Sequence, residues 1–93
     1  MPARTVYLSL GSNVGDRKGA LDQGIAGLEE EQIRVVARSS IYETEPQDVH
    51  DQPWFLNMVV EGRTPLFPMQ LLATLQKIER EMGRRTLRVE AEE

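Results

Sequence analysis

The stretch Ser39–Asn57, SSIYETEPQDVHDQPWFLN, places two strand-like segments on either side of a long polar loop. The second segment opens with Phe55 and Asn57, and side chains two residues apart lie on the same face of a strand. An aromatic ring and an amide that both donates and accepts hydrogen bonds therefore face one volume. That pair suits a planar heterocycle with an amide-like edge. On these two residues alone, the plainer interpretation is a core Phe55 beside a satisfied strand amide.

Working outward from this stretch, apolar residues alternate in three segments, which predicts three strands. The segments are Thr5–Leu10, Ile33–Tyr42 and Phe55–Gly62. In the third strand, Leu56, Met58 and Val60 would occupy the face opposite Phe55 and Asn57.

Two further segments carry apolar residues at helical spacing. The first runs from Arg17 to about Glu31, and its stripe consists of Leu21, Ile25 and Leu28. The second opens at Pro65 and Pro68 and stops at Gly83, as proline and glycine favour. Its stripe consists of Leu71, Leu75, Ile78 and Met82, with Leu72 beside it.

The element order β-α-β-β-α predicts one α+β domain over residues 1–93, a ferredoxin-like fold with an antiparallel sheet whose last strand is missing. The missing strand would lie beside the first strand. We therefore expect the backbone edge of Thr5–Leu10 to be exposed and available for self-association.

Composition restricts the function classes. The formal net charge of −4 argues against a general nucleic-acid binder. The sequence contains no apolar run of about 18 residues and no visible secretory signal, which argues against a membrane partner. It also has no cysteine, which excludes disulfides and thiolate metal sites and fits a reducing cytoplasm. We therefore expect a cytoplasmic protein.

Several polar groups are candidates for ligand contacts. Backbone N–H groups of the turn 11–16 could meet an anion, although a plain strand-to-helix turn explains it better. Gln76 and Glu79 share a helix face and could contact a base or pterin edge, or simply solvent. Arginines at positions 80, 84, 85 and 88 exceed what a helix C-terminus uses, which suggests phosphate contacts. Asp48, His50 and Asp51 are best explained as solvated loop residues.

Taken in order, these residues resemble the hydroxymethyldihydropterin pyrophosphokinase family of folate biosynthesis. The similarity extends from about Val6 to Arg88. The matching residues are Gly11, Ser12, Asn13, Gly15, Asp16, Ser39, Ser40, Tyr42, Thr44, Pro46, Asp51, Gln52, Pro53, Phe55, Asn57, Gln76, Glu79, Gly83 and Arg84.

The resemblance implies transfer of pyrophosphate from Mg·ATP to the primary hydroxyl of the pterin, leaving AMP. The implied pterin contacts are Thr44, Pro46, Phe55 and Asn57, with Phe55 stacking on the ring and Asn57 reading its amide edge. The implied nucleotide contacts are Gln76 and Glu79, and the implied catalytic groups at the phosphates are Arg84 and Arg88.

The sequence also departs from the family pattern. The family's Arg-x-x-Asp-x-Asp run, whose aspartates hold Mg²⁺, has no counterpart, so no metal ligand is predicted. Thr86 stands where a second arginine is expected, and Glu45 where proline is common. Glu90, Glu92 and Glu93 are predicted to form a frayed acidic tail.

We expect a chain that carries the pterin side of the site and has little or no activity alone. The alternative is a non-catalytic ligand-binding or protein-interaction module of the same fold.

Overall fold

The five strands among the described residues form a single antiparallel sheet in the order β2-β4-β1-β5, with β3 also paired to β4. A computed structural model describes residues 2–47, 51–83 and 86–92. Its elements are β1 (Arg4–Ser12), α1 (Arg17–Glu30), β2 (Arg34–Arg38), β3 (Tyr42–Thr44), β4 (Phe55–Thr64), α2 (Pro68–Met82) and β5 (Arg88–Glu92). The predicted α+β class with an antiparallel sheet is confirmed.

The core lies between one face of the sheet and the two helices. Buried and partly exposed residues alternate in β4 from Met58 to Thr64 and in β1 from Tyr7 to Leu10, after which Gly11 and Ser12 are buried as well. The buried strand residues include Leu8, Leu10, Met58, Val60 and Val89, and the helices cover them with Leu21, Ile25, Leu28, Leu71, Leu75 and Ile78. This leaves Phe55 and Asn57 on the opposite, open face of the sheet.

The predicted second strand is divided into two. The pairing of β2 with β4 shifts register between Val35 and Ala37, and β2 ends at Arg38. Ser39 continues the ladder with its hydroxyl, because the Val59 N–H donates to Ser39 Oγ at 2.8 Å. A side-chain oxygen therefore replaces a backbone acceptor, and the chain resumes pairing only at Tyr42.

The expectation that the last strand is missing is wrong. Residues Arg88–Glu92 form β5, which pairs antiparallel with Tyr7–Gly11 of β1. Leu87 and Val89 anchor this strand because they are 0% and 4% exposed. The exposed edge predicted for β1 is accordingly covered from Tyr7 to Gly11. Thr5 and Val6 of that edge do not pair with β5, and self-association through it stays a prediction.

The acidic residues of β5 also correct a prediction. Glu90 and Glu92 belong to the strand and alternate with Val89 and Ala91, so they are not a frayed tail. Glu93, predicted to belong to the same tail, lies outside the described residues.

Both helices begin and end close to the predicted residues. Asp16 caps α1 by accepting a hydrogen bond from the Gly19 N–H at 3.0 Å. Gln70 Oε1 accepts from the Phe67 N–H at 2.9 Å at the start of α2, and Gly83 follows its end with a φ of 85°. Leu72, predicted beside the core stripe, faces solvent with 50% exposure. Within the described part of the chain, neither helix is long and apolar enough to cross a membrane.

Candidate functional site

Four neighbouring strands place one row of residues on the open face of the sheet. Tyr42 of β3 pairs with Asn57 of β4, Asn57 pairs with Gly11 of β1, and Gly11 pairs with Arg88 of β5. Residues directly opposite in an antiparallel ladder point to the same face. The row therefore presents a phenol, an amide and a guanidinium, with a glycine between the last two.

The amide of Asn57 is held in a defined orientation by β3. Its Nδ2 donates to Thr44 Oγ1 at 2.8 Å and makes a longer contact of 3.4 Å with the Tyr42 carbonyl. Its Oδ1 lies on the side of Gly11, where an added Cβ would stand only 3.0 Å from that oxygen. Glycine at position 11 therefore leaves the space that the Asn57 carboxamide occupies.

A pocket of about 330 Å³ opens next to this row. Phe55 and Arg88 line it from β4 and β5, together with Asn13, Val14, Gln52 and Pro53 from the two adjoining loops. The volume is at the lower end of the range for small-ligand sites. Phe55 is half-buried and supplies an aromatic surface, whereas the Arg88 guanidinium supplies a positive charge. The pocket is chemically suited to a planar molecule bearing an anionic or hydroxyl substituent.

Four of the predicted site residues come together here, namely Thr44, Phe55, Asn57 and Arg88. Pro46 is half-buried and lies two residues beyond the end of β3. Arg84 lies outside the described residues.

The predicted nucleotide contacts lie elsewhere. Gln76 and Glu79 belong to α2, which packs on the face of the sheet opposite Phe55 and Asn57. Glu79 accepts a hydrogen bond from the Val89 N–H at 2.9 Å. In this fold Glu79 therefore attaches β5 to α2, and the geometry does not bring it to the pocket.

Gly11, Asn13 and Gln52 belong to the site region, although the sequence predicted no pterin, nucleotide or catalytic contact for their side chains and only a possible backbone anion site in the turn 11–16. Asn13 Nδ2 contacts the Pro53 carbonyl at 3.4 Å, so it joins the two loops that line the pocket. Their only signal in the sequence is the Gly-Ser-Asn run after β1 and the Asp-Gln-Pro run before β4. Neither run indicates that β1 and β4 are neighbouring strands.

Magnesium does not fit the residues described. Within residues 2–47, 51–83 and 86–92, no three His, Asp or Glu side chains are close enough to hold a metal ion. Asp51 is exposed, and Asp48 and His50 lie outside these ranges.

Comparisons with known proteins identify the family. The sequence model of the family described as 7,8-dihydro-6-hydroxymethylpterin-pyrophosphokinase matches residues 7–93. A 2-amino-4-hydroxy-6-hydroxymethyldihydropteridine pyrophosphokinase of Bacillus subtilis is 49% identical over 79 residues, which cover 84% of this chain and 47% of that protein. The protein of the same name in Aquifex aeolicus is 42% identical over 81 residues, covering 87% and 50%.

A folate synthesis bifunctional protein of Arabidopsis thaliana is 47% identical over 79 residues, covering 85% of this chain and 16% of that protein. The chain thus spans about half the length of the two bacterial relatives. Because the family model matches nearly the whole chain, the chain belongs to the 7,8-dihydro-6-hydroxymethylpterin-pyrophosphokinase family.

Proposed function

We propose that this chain forms the pterin side of a site that transfers pyrophosphate from ATP to 6-hydroxymethyl-7,8-dihydropterin in folate biosynthesis. The observation that supports this most is the Asn57 amide, held by Thr44 at 2.8 Å beside the half-buried ring of Phe55. The names and family of the relatives supply the substrate class.

Each residue has a separate task in this proposal. Asn57 donates to and accepts from the amide-like edge of the pterin, and Phe55 stacks on its ring. Thr44 fixes the Asn57 carboxamide before the ligand arrives, which lowers the entropy cost of binding. We assign Pro46 a contact with the pterin beyond Thr44 on the family resemblance alone.

Arg88 reaches the same pocket from β5 and would balance negative charge near the hydroxymethyl group. We assign Arg84 the same task on the strength of the family resemblance alone. ATP and Mg²⁺ are the expected co-substrate and cofactor of the family's reaction, and Mg²⁺, when bound, would supply charge neutralisation at the phosphates. Nucleotide contacts by Gln76 and Glu79 have no support from the geometry described above.

Titration with 6-hydroxymethylpterin, followed by isothermal calorimetry, tests the binding site. We expect Asn57→Ala and Phe55→Ala each to weaken binding by about tenfold or more, as loss of a buried hydrogen bond or a stacking surface would. Val59→Ala is the matched control, since Val59 lies two residues further along the same face of β4. Equal affinities of Asn57→Ala, Phe55→Ala and the parent chain would refute the assignment.

A second assay addresses the chemistry. We propose that the 93-residue chain is a cytoplasmic protein. We also propose that it binds the pterin but releases AMP from ATP far more slowly than its full-length relatives. A coupled AMP assay with 6-hydroxymethyl-7,8-dihydropterin measures this. Turnover comparable to that of the Bacillus subtilis relative would show that the pterin side alone is sufficient.

A further inference from the structure

Arg17, the first residue of α1, connects the two ends of the loop between β3 and β4. Its Nη1 lies 3.1 Å from Glu43 Oε2 and donates to the Trp54 carbonyl oxygen at 2.7 Å. Glu43 is in β3, two residues before the loop 45–54 begins, and Trp54 is the last residue before β4. One guanidinium nitrogen therefore holds both flanks of this loop.

Arg17 approaches the loop from the helix side of the sheet, opposite the face that carries the proposed pterin site. Glu43 pairs with Leu56, whose parity in β4 is that of the buried Met58 and Val60, so Glu43 points to the helix side of the sheet. Thr44 and Phe55, one residue along on each strand, point to the open face. Arg17 thus contacts the neighbours of the site residues, and the pocket that Phe55 and Arg88 line does not include it.

The need for such a contact follows from the shortness of β3. This strand has three residues, all of them exposed, and it pairs only with the start of β4 in the described structure. Thr44 orients Asn57, so a movement of β3 would also release the Asn57 amide. A charge-assisted hydrogen bond to a fixed helix end restrains that movement more strongly than a neutral one.

We infer that Arg17 is a positioning residue, which keeps Thr44 and Phe55 at the separation that the ligand requires by holding Glu43 and the Trp54 carbonyl. The expected effect on pterin binding rests on the proposed function, whereas the contact of Arg17 with Glu43 and the Trp54 carbonyl does not. Trp54 is the only tryptophan of the chain and is 49% exposed, so its fluorescence reports on this contact without any ligand.

The test compares Arg17→Ala, Arg17→Lys and Lys18→Ala in the 93-residue chain, with circular dichroism to confirm that each folds. Lys18→Ala is the matched control, because it removes a positive charge from the same turn and pairs only with Asp22 of its own helix in the described structure. Acrylamide quenching of Trp54 is measured first, and calorimetric titration with 6-hydroxymethylpterin second.

We expect Arg17→Ala to increase quenching of Trp54 and to weaken pterin binding by about tenfold, with Arg17→Lys intermediate and Lys18→Ala unchanged. Unchanged quenching, or unchanged affinity despite increased quenching, would overturn the positioning role. A parent chain that does not bind the pterin would refute the proposed function instead. Increased quenching in Arg17→Ala would then still support the contact of Arg17 with the loop flanks.

Discussion

Gly11 pairs with Asn57 across β1 and β4, and its lack of a side chain has a measurable consequence. A methyl group at position 11 would stand 3.0 Å from Asn57 Oδ1, which is tighter than ordinary packing allows. We predict that Gly11→Ala turns the amide away from its bond with Thr44 and weakens binding of 6-hydroxymethylpterin by about tenfold.

Stability separates this effect from unfolding. Replacing a strand glycine by alanine gains roughly 0.5–1 kcal/mol of backbone entropy, which offsets part of the crowding. The melting temperature of Gly11→Ala should therefore stay close to that of the parent chain. Ser9→Ala, two residues earlier on the same face of β1, is the control and should retain full affinity. Full affinity in Gly11→Ala would contradict the proposed orientation of Asn57.

Two buried hydroxyl groups differ in whether they have a partner. Ser12 is 1% exposed, and its Oγ is the buried side-chain polar atom without a hydrogen-bond partner in the described residues. Thr64 is 0% exposed, and its Oγ1 accepts from the Leu66 N–H at 3.1 Å.

We predict opposite effects of removing these hydroxyls. Ser12→Ala should raise the free energy of unfolding by about 1 kcal/mol, because an unsatisfied buried hydroxyl is lost. Thr64→Val should lower it by about 1 kcal/mol or more, because the Leu66 N–H loses its acceptor. Thermal denaturation of both variants measures the difference, which amounts to several degrees for a domain of this size. Destabilisation by Ser12→Ala would indicate a partner for its hydroxyl.

At the level of single residues, the sequence predicts which side chains share a face but not which strands are neighbours. Period-two alternation correctly put Phe55 and Asn57 together, opposite Met58 and Val60. The closeness of Gly11 and Arg88 to Asn57 depends on pairing across the sheet, between residues that are far apart in the chain. Local pattern carries no information about such pairs.

Among the elements, β5 is the one that sequence reasoning overlooked. Its five residues include only Val89 and Ala91 as apolar members, so the alternation is too short to be distinguished from an acidic tail. The strand forms because Leu87 and Val89 are buried by the helices and because β1 offers a free backbone edge. Its stability is thus largely tertiary in origin.

Glu79 contributes to that tertiary stabilisation by accepting a hydrogen bond from the Val89 N–H. We predict that Glu79→Ala increases hydrogen exchange at the Val89 amide by about tenfold while the amides of Leu8 and Val60 keep their protection. Glu79→Gln retains an acceptor oxygen and should preserve most of the protection at Val89. Uniform loss of protection throughout the sheet would instead show that β5 does not open separately.

Two glycines of α1 test how closely this helix packs on its neighbours, Gly24 on the sheet side and Gly27 against α2. A Cβ at Gly24 would lie 2.9 Å from Leu87 Cδ2 and 3.1 Å from Leu10 Cδ2, both in fully buried side chains. A Cβ at Gly27 would make ordinary contact with Ile78 Cγ2 at 3.5 Å.

The same substitution should therefore have opposite effects at the two glycines. Gly27→Ala gains helix propensity and should stabilise the protein by up to about 1 kcal/mol. Gly24→Ala gains the same propensity but overpacks the contact with Leu87, which typically costs about 1–3 kcal/mol. Chemical denaturation of both variants measures the contrast. Equal stabilisation by the two substitutions would mean that Leu87, next to β5, moves away from the added methyl group without lowering the free energy of unfolding.

For the whole molecule, the sequence predicts the α+β class because both hydrophobic periods recur along it, whereas the pairing of β5 with β1 follows from tertiary contacts. The layered arrangement puts both helices on one side and leaves Asn57, Phe55 and Arg88 on the other. This separation explains why Gln76 and Glu79, which share a helix face as predicted, do not reach the site described.

The helix layer is joined on its outer side by an ion pair between Lys77 of α2 and Glu31, the residue that follows α1. Lys77 Nζ lies 3.0 Å from Glu31 Oε2, and this hydrogen bond, followed by the charges of Glu31 and Glu81, raises the pKa of Lys77 above its ordinary value of 10.5. Because the pKa of Lys77 is raised in the folded state, the ion pair stabilises the folded protein fully below pH 10.5. It is lost as the pH rises through the pKa of the folded protein.

We predict that Lys77→Gln lowers the melting temperature by a few degrees at most, since the pair is solvent-exposed. The difference from the parent chain should persist at neutral pH and decrease as the pH rises beyond 10.5 through the raised pKa of Lys77. It should also shrink in about 1 M salt, where charges are screened within about 3 Å. Lys18→Gln breaks a pair inside α1 and should have a smaller effect, because that pair does not join two elements. A Lys77→Gln effect that is independent of both pH and salt would show that the side chain stabilises the helix layer by packing and not by its charge.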